Sequence, residues 1–151
     1  MKKIIIIFIF LLYGCGYSSV YKNQENKDIL ITIVDMQGDN ILNNSLKNQL
    51  TIASNKESKN IFNINLITDY EKTIVSKDTT GIATDYKLQT TVNFIVTKNE
   101  IKKKFILSES LDIKNEGENF EQTSYENSIK RNFAISIKDK LIPYLLTFDD
   151  N

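Results

Sequence analysis

The sequence predicts a single α+β domain whose elements follow the order β-α-β-β-β-α. Three patterns predict these elements: a continuous run of β-branched residues, segments in which apolar and polar residues alternate, and segments in which apolar residues recur every four positions. Alternation places every second side chain on the same face of a sheet, whereas the four-residue spacing makes one stripe along a helix. We therefore expect a four-stranded mixed or antiparallel sheet with both helices packed on one face.

The first strand and the first helix open the domain. Residues 29–35 form an apolar run rich in β-branched side chains, which is typical of a buried strand. Asp39 or Asn40 can cap a helix directly afterwards, because either side chain accepts a hydrogen bond from a free backbone N–H group. The polar stretch 54–60 ends this helix, whose main apolar residues lie four apart: Leu42, Leu46 and Leu50.

Three further strands are predicted after this helix. Alternation of apolar and polar residues marks the first at 62–66, the second at 86–97 and the third at 105–113. The second strand carries the longest alternation in the chain, and Glu109 interrupts the third. The short polar connection 98–100 predicts that the last two strands form a hairpin.

A long final helix is predicted after a polar loop at 115–122. Thr123 or Ser124 caps it, and Pro143 is expected to bend or end it. Its apolar stripe favours packing against the core over a ligand site. The stripe consists of Tyr125, Ile129, Phe133, Ile137 and Leu141, and Tyr144 and Leu145 extend it.

The first residues have the pattern of an export signal. Lys2 and Lys3 make a basic start, and nine uninterrupted apolar residues follow at 4–12. Nine helical residues span roughly 14 Å, about half of a bilayer core of roughly 30 Å, so they are too short for a permanent transmembrane helix. An N-terminal core strand is the alternative, but the flanking lysines and the Gly-Cys-Gly sequence would make a poor edge for a domain.

The end of this signal resembles a bacterial lipobox. The lipoprotein signal peptidase requires an aliphatic residue three positions before the cysteine and a small residue directly before it. Leu12 and Gly14 meet these requirements, whereas Tyr13 departs from the usual pattern. Cys15 is the only cysteine of the chain and is expected to carry acyl chains, in which each buried methylene contributes about 0.8 kcal/mol to membrane attachment. Gly16 occupies the position where the inner-membrane retention signal has Asp, so we expect an outer-membrane anchor that faces the periplasm.

Three parts follow from these patterns. Residues 1–14 form a lipoprotein signal peptide, residues 15–28 a lipidated tether, and residues 29–148 one domain. A mature chain that starts at Cys15 can bury roughly two thirds of the surface of its unfolded state, which is enough to fold unaided.

Composition excludes several kinds of chemistry. The chain has no His and a single Cys, which rules out catalysis with a His base, His-ligated zinc and cysteine metal sites, and no cofactor is expected. The 19 basic and 19 acidic residues balance, so no nucleic-acid partner is indicated. The remaining catalytic candidates lie in polar segments that favour a solvated surface, so we expect no enzyme: Ser58-Lys59, Ser76-Lys77 and Asp149-Asp150.

Several segments together resemble the LptE family of lipopolysaccharide-assembly lipoproteins. The mature chain begins with Cys15-Gly16-Tyr17, which is similar to the Cys-Gly-aromatic start of that family, although the family's proline near Ser19 is missing. The middle strand and the final helix also resemble those of the family. Their matching residues are Tyr86, Leu88, Val92, Phe94 and, on the polar side of the helix, Arg131.

The resemblance implies a protein that is not an enzyme. LptE-like lipoproteins plug the periplasmic end of the LptD β-barrel, help that barrel to assemble, and bind lipopolysaccharide on its way to the cell surface. A hydrated barrel lumen would suit the polar residues on one face of the second alternating strand. These residues are Gln89, Thr91, Asn93 and Thr97. The alternative is an unrelated outer-membrane lipoprotein that binds a periplasmic protein or a cell-wall component.

Lysines at the predicted hairpin are candidate contacts for the phosphates of lipopolysaccharide, because lysine donates to phosphate as a point charge. Lys102 and Lys104 are expected on one face of the strand and Lys103 on the other. The alternative is a solvated hairpin end, or lysines that protect an edge strand from aggregation. The complete set of candidates is Lys98, Lys102, Lys103 and Lys104 in the cluster, with Lys87 and Arg131 elsewhere.

Overall fold

A computed structural model of the protein describes residues 28–115 and 119–149. The predicted signal peptide, the lipobox with Cys15 and the tether up to residue 27 lie outside the described residues. The elements follow the predicted order. They are β1 (Leu30–Gly38), α1 (Asn40–Ala53), β2 (Ile61–Lys77), β3 (Ala83–Lys98), β4 (Ile101–Lys114) and α2 (Asn119–Leu146).

The four strands form one mixed sheet in the spatial order β1-β2-β3-β4. β1 pairs with β2 in parallel, and α1 makes the crossover between them. β2, β3 and β4 pair in antiparallel fashion, each joined to the next by a short turn. Asn99 and Glu100 make a two-residue turn with φ values of 47° and 72°, which is typical of the tight hairpin turns whose twist matches that of the strands. The fold class and the hairpin at 98–100 are therefore confirmed.

Both helices lie on the same face of the sheet, which we call the inner face. The opposite face, which neither α1 nor α2 covers, is the outer face. On β3, every second side chain from Leu88 to Lys98 is buried on the inner face. The α1 stripe and most of the α2 stripe meet these side chains in one core. The helical members of the core are Leu42, Leu46 and Leu50 from α1, with Ile129, Phe133, Ala134, Ile137, Leu141, Ile142 and Leu145 from α2.

The two ends of the sheet differ in what they carry. Asp28, the loop 54–60, the β3–β4 turn and residues 147–149 lie together at one end, which we call the terminal pole because the described domain begins and ends there. The β2–β3 turn at 78–82 and the start of α2 lie at the other end, the distal pole.

β2 is much longer than the alternation at 62–66 predicts. Beyond Thr68 it continues to Lys77, paired with β3, but residues 71–75 are exposed on both faces. The pairing with β1 ends at Thr68, and α1 does not cover the part of β2 that follows. A strand that is exposed on both faces needs no alternation, so the sequence pattern stops while the hydrogen-bonded pairing continues.

The final helix begins earlier than predicted, at Asn119, so the expected caps Thr123 and Ser124 lie inside it. Part of the predicted polar loop is therefore helical. Glu121 stands in the first turn, where a negative charge complements the helix dipole. The side-chain amide of Gln122 donates to Glu126 at 3.0 Å, and such pairs four residues apart stabilise a helix.

The C-terminal half of α2 corrects two further expectations. Pro143 does not end the helix, which continues to Leu146, although the proline lacks the N–H that would bond to the carbonyl of Asp139. Tyr144 is about half exposed although its ring lies 5.2 Å from that of Phe105 on β4, and Tyr125, near the start of the helix, is exposed as well.

Glu109 interrupts the alternation of β4 but does not interrupt the strand. It lies on the inner side, where Ser136 and Lys140 of α2 contact its carboxylate, the latter at 2.7 Å. Burial acts to raise the pKa of Glu109, but the hydrogen bonds from Lys140 and Ser136 outweigh it and lower that pKa. A charged residue in an inner position is tolerated here because α2 supplies its partners.

Gly38 and Gly81 allow a matched test of the packing at the end of β1. Both have positive φ, at 105° and 89°. A Cβ on Gly38 would lie 1.8 Å from the carbonyl oxygen of Thr68, whereas a Cβ on Gly81 meets nothing within 4 Å. We expect Gly81→Ala to cost about 1–2 kcal/mol of unfolding free energy from backbone strain alone. Gly38→Ala should cost about 3 kcal/mol or more. Unfolding in urea measures both, and equal losses would contradict the close approach of β1 to β2.

Candidate functional site: the outer sheet face and the cationic residues

The outer face carries the polar residues that the sequence predicts there. Gln89, Thr91, Asn93 and Thr97 alternate with the buried inner residues of β3 and point away from the helices. The hydroxyl of Thr91 lies 3.0 Å from that of Ser108 on β4, so polar side chains of neighbouring strands bond across this face. These predicted positions agree with the structure.

Isoleucines interrupt this polar face, although no sequence pattern indicates an apolar patch there. Ile67 of β2 and Ile106 of β4 flank Asn93 in the same register row, and each is about half exposed (45% and 58%). Ile95 lies in the next row. The outer face is therefore mixed, and an apolar patch lies at its centre. Only the register, which aligns residues from three strands, reveals it.

The lysine cluster at the β3–β4 turn is divided between the two faces. Lys102 pairs with Thr97 and Lys104 with Ile95, so both lie on the outer face and are exposed. Lys103 pairs with Val96 and points to the inner side. The expected division of these three lysines is thus confirmed.

Lys98 and Lys103, unlike Lys102 and Lys104, make contacts within the fold. Lys98 is buried, its ammonium forms an ion pair with Asp149, and it lies 5.1 Å from the ring centre of Phe62. The ammonium of Lys103 donates to the carbonyl of Phe148 and lies 4.5 Å from the ring centre of that residue. Both lysines therefore hold the segment 147–149, which follows α2, against the sheet.

The two remaining cationic candidates lie far from the cluster. Lys87 is exposed on the outer face, but it is ten residues along β3 from Thr97, the partner of Lys102, which separates the two lysines by about 33 Å. Arg131 is exposed on α2, in the other layer of the fold. The structure therefore does not bring the six candidates into one site, and only Lys102 and Lys104 form an exposed pair.

A network of charged and aromatic side chains joins α2 to α1 and β2 towards the distal pole. Lys130 of α2 lies 2.5 Å from the carboxylate of Asp39 and 3.9 Å from the ring centre of Tyr70. One turn earlier, Glu126 forms an ion pair with Lys72, whose ammonium lies 4.0 Å from the ring centre of Tyr86. No sequence signal indicated this network, because its members are separated by long stretches of chain.

Asp39 connects this network to α1. Its side chain accepts from the backbone N–H of Leu42 at 2.9 Å, so Asp39, and not Asn40, is the cap among the two predicted residues. Burial acts to raise the pKa of Asp39, but the hydrogen bonds from Lys130 and Leu42 outweigh it and hold the pKa below its ordinary value. Burial, and then the charges of Glu126 and Asp39, raise the pKa of Tyr70, so that residue stays neutral.

The catalytic candidates are engaged in structural contacts. The hydroxyl of Ser58 accepts from the backbone N–H of Asn60, and that of Ser76 contacts Thr84 and Asp85. Ser76-Lys77 lies in β2, not in the polar loop that the sequence suggested, and Asp150 lies outside the described residues. Across 28–115 and 119–149, no three His, Cys, Asp or Glu residues come together in a way that could bind a metal ion. Over the same residues, neither helix has the length and apolar character of a membrane span.

The fold and the outer face define the class of the protein, a two-layer α+β domain in which α1 and α2 cover one face of the sheet and leave the other face free. The family LptE, described as lipopolysaccharide-assembly, matches residues 27–142. The chain belongs to this family, as the resemblance of its motifs predicted. None of the curated proteins matches the chain.

Solved structures of bacterial lipoproteins share this fold. The rare lipoprotein B from Shewanella oneidensis superposes with a TM-score of 0.60 at 16% sequence identity, over 79% of this chain and 96% of that one. A minor lipoprotein from Acinetobacter baumannii gives a TM-score of 0.51 at 14% identity, over 76% and 92% of the respective chains. At such identities the similarity shows the fold alone.

The Asp39–Lys130 contact predicts a pH-dependent loss of stability. Asp39→Asn keeps the helix cap but removes the charge that Lys130 contacts, so we expect it to lower the unfolding free energy by about 1–2 kcal/mol at pH 7. The folded state holds the pKa of Asp39 below 3.8. The contribution of its charge is therefore complete above that pH and is lost as the pH falls through the lowered pKa.

Urea unfolding at neutral and at strongly acidic pH measures this difference. The wild type and Asp39→Asn should converge in acid. Glu71→Gln, at an exposed position of β2, is the control and should change stability by less than about 0.5 kcal/mol. A difference that is the same at both pH values would contradict the role of the Asp39 charge.

Proposed function

We propose that the protein is an outer-membrane lipoprotein that plugs the LptD β-barrel, helps it to assemble, and binds lipopolysaccharide during delivery to the cell surface. Membership of the LptE family supports the role in lipopolysaccharide assembly. The observation that carries the proposal of a plug is the outer face, where a row of polar side chains along β3 is left uncovered by the helices.

A barrel lumen is a suitable environment for this face. The lumen of a transmembrane barrel is polar, because lumen-facing and lipid-facing residues alternate along its strands. Thr91, Asn93 and Ser108 can exchange hydrogen bonds with such a wall, while Ile67 and Ile106 supply an apolar centre. A polar rim around an apolar centre is the usual anatomy of a protein–protein interface.

The contacts of the candidate lysines support a smaller set of residues for binding lipopolysaccharide. Lys98 and Lys103 are committed to the C-terminal segment. We therefore propose Lys102 and Lys104 as the contacts for lipopolysaccharide phosphates, with Lys87 and Arg131 as separate candidates. The protein acts in this proposal through binding, not through catalysis, which agrees with the structural use of the hydroxyls of Ser58 and Ser76.

Lipidation at Cys15 is the first expected outcome. Mass spectrometry of the mature protein from membranes should show a chain that begins at Cys15 and carries added acyl mass, because Leu12 and Gly14 meet the requirements of the signal peptidase. Cys15→Ser should leave the domain folded and abolish membrane attachment. A mature protein that keeps Met1, or that is cleaved elsewhere, would rule out this anchor.

A one-to-one complex with an LptD-type barrel is the second expected outcome, and affinity purification from detergent-solubilised outer membranes tests it. Asn93→Arg should abolish co-purification, because it places a long charged side chain between Ile67 and Ile106. Asn48→Arg makes the same change at an exposed position of α1 and should have no effect. Retention of the barrel by both variants would show that the outer face is not the contact.

Weaker lipopolysaccharide binding is expected from the double variant Lys102→Glu/Lys104→Glu. We expect a loss of roughly tenfold in affinity, equivalent to about 1.4 kcal/mol, with little change in melting temperature because both side chains are exposed. Lys56→Glu/Lys59→Glu, two exposed lysines of the loop 54–60, is the charge-matched control. Wild-type affinity in the first variant would exclude the hairpin, and Lys87 and Arg131 would be tested next.

A further inference from the structure

The chain segment that leads from Cys15 enters the fold at the terminal pole. The side-chain amide of Asn60 donates to the backbone carbonyl of Asp28 at 3.0 Å, which fixes the entry point beside the start of β2. The backbone N–H of Asn55 donates to the carbonyl of Ile29 at 2.8 Å and holds the neighbouring loop there as well. The position at which the tether joins the domain is therefore set by the fold.

Large aliphatic side chains are exposed at this same pole. Ile101 follows the β3–β4 turn and is 55% exposed, and Leu146 at the end of α2 is 53% exposed. Ile61 begins β2, and Ile52 lies in the last turn of α1, and both are exposed as well. An end of a domain that shows several aliphatic side chains is suited to contact with an apolar or interfacial phase.

The distal pole also exposes aliphatic residues, among them Ile74, Val75 and Ile82, so exposure alone does not choose between the poles. The length of the tether distinguishes the two poles. Thirteen residues, 15–27, reach at most about 45 Å when fully extended. β2 has 17 residues, so the distal pole lies about 56 Å from the entry point. The tether is therefore too short for an arrangement in which the distal pole lies on the anchoring leaflet and the terminal pole points away from it.

We propose that, before the protein joins its barrel, the terminal pole lies on the phospholipid surface of the leaflet that holds acylated Cys15, with Ile101 and Leu146 at the boundary between headgroups and acyl chains. This inference rests on the lipid anchor of the proposed function. The β2–β3 turn then points away from that leaflet. Exposed charges of both signs surround the pole: Lys56, Lys59 and Lys102 are basic, and Asp28, Glu57 and Glu100 are acidic. The contact is therefore apolar and does not select anionic headgroups.

The absence of tryptophan from the sequence permits a direct test with a single introduced reporter. The chain from Cys15 to Asn151 is coupled through its only thiol to a maleimide phospholipid in vesicles of phosphatidylethanolamine and phosphatidylglycerol. Bromine on the acyl chains of these vesicles quenches tryptophan fluorescence on contact. Chemical coupling replaces enzymatic acylation, so this test does not depend on whether Cys15 is lipidated in cells.

Ile101→Trp reports the position of the terminal pole, and Ile82→Trp reports the position of the distal pole. The wild-type side chain of Ile82 is 62% exposed. We expect Ile101→Trp to lose most of its emission in brominated vesicles relative to unbrominated ones, and Ile82→Trp to keep its emission. Equal quenching of both reporters would mean that the domain lies flat on the membrane, and no quenching of either would mean that it stands clear. Either result overturns the proposal.

A second substitution tests whether the apolar contact itself holds the pole in place. Leu146→Glu, combined with the Ile101→Trp reporter, should restore most of the quenched emission, because a charge at this position opposes insertion. Ile74→Glu with the same reporter makes a like change at the distal pole and should leave the quenching unchanged. Circular dichroism of each variant confirms that it is folded. Undiminished quenching in folded Leu146→Glu would overturn the apolar contact.

Discussion

The inner face of β3 is the constraint on which the rest of the structure depends. Every second side chain from Leu88 to Lys98 is buried there, and β3 pairs with both β2 and β4 along its length. A shift of one residue in either pairing would turn a whole row of apolar side chains to the solvent. The burial of β3 therefore fixes the register of its neighbours, and the register decides which residues appear on the outer face.

The uneven cover of the sheet gives its two ends different properties. α1 packs over the part of the sheet that adjoins the terminal pole, whereas α2 reaches further and β2 continues beyond α1 towards the distal pole. The covered part contributes most of the hydrophobic stabilisation, because that contribution is roughly proportional to the apolar area removed from water. The network of Asp39, Lys130 and Tyr70 lies where this cover ends, and it ties α2 to α1 and β2 at that boundary.

Lysines of one sequence cluster have different physical roles because strand geometry separates them. Lys102 and Lys104 face water on the outer side, whereas Lys103 places its aliphatic stem on the inner side and its ammonium against a backbone carbonyl. Lys98 is buried beside Phe62 and is compensated by Asp149. A buried ammonium without such a partner would be costly, so residues 147–149 are part of the fold.

The sequence by itself determined the element order, the faces of β3, the hairpin turn and a helix cap at Asp39 or Asn40, together with the motifs that indicated the family. These features were predictable because hydrophobic period, turn chemistry and capping are local properties of neighbouring residues. The full length of β2 was not predictable, since its distal part is exposed on both faces and has no alternation. Only the tertiary structure decided which lysines are free, how Glu109 is satisfied, and that Ile67 and Ile106 form one patch with Asn93 between them. Each of these depends on residues that are distant in sequence and adjacent in space: Lys130 stands 91 residues from Asp39, and only the packing of α2 against the start of α1 brings their charges together.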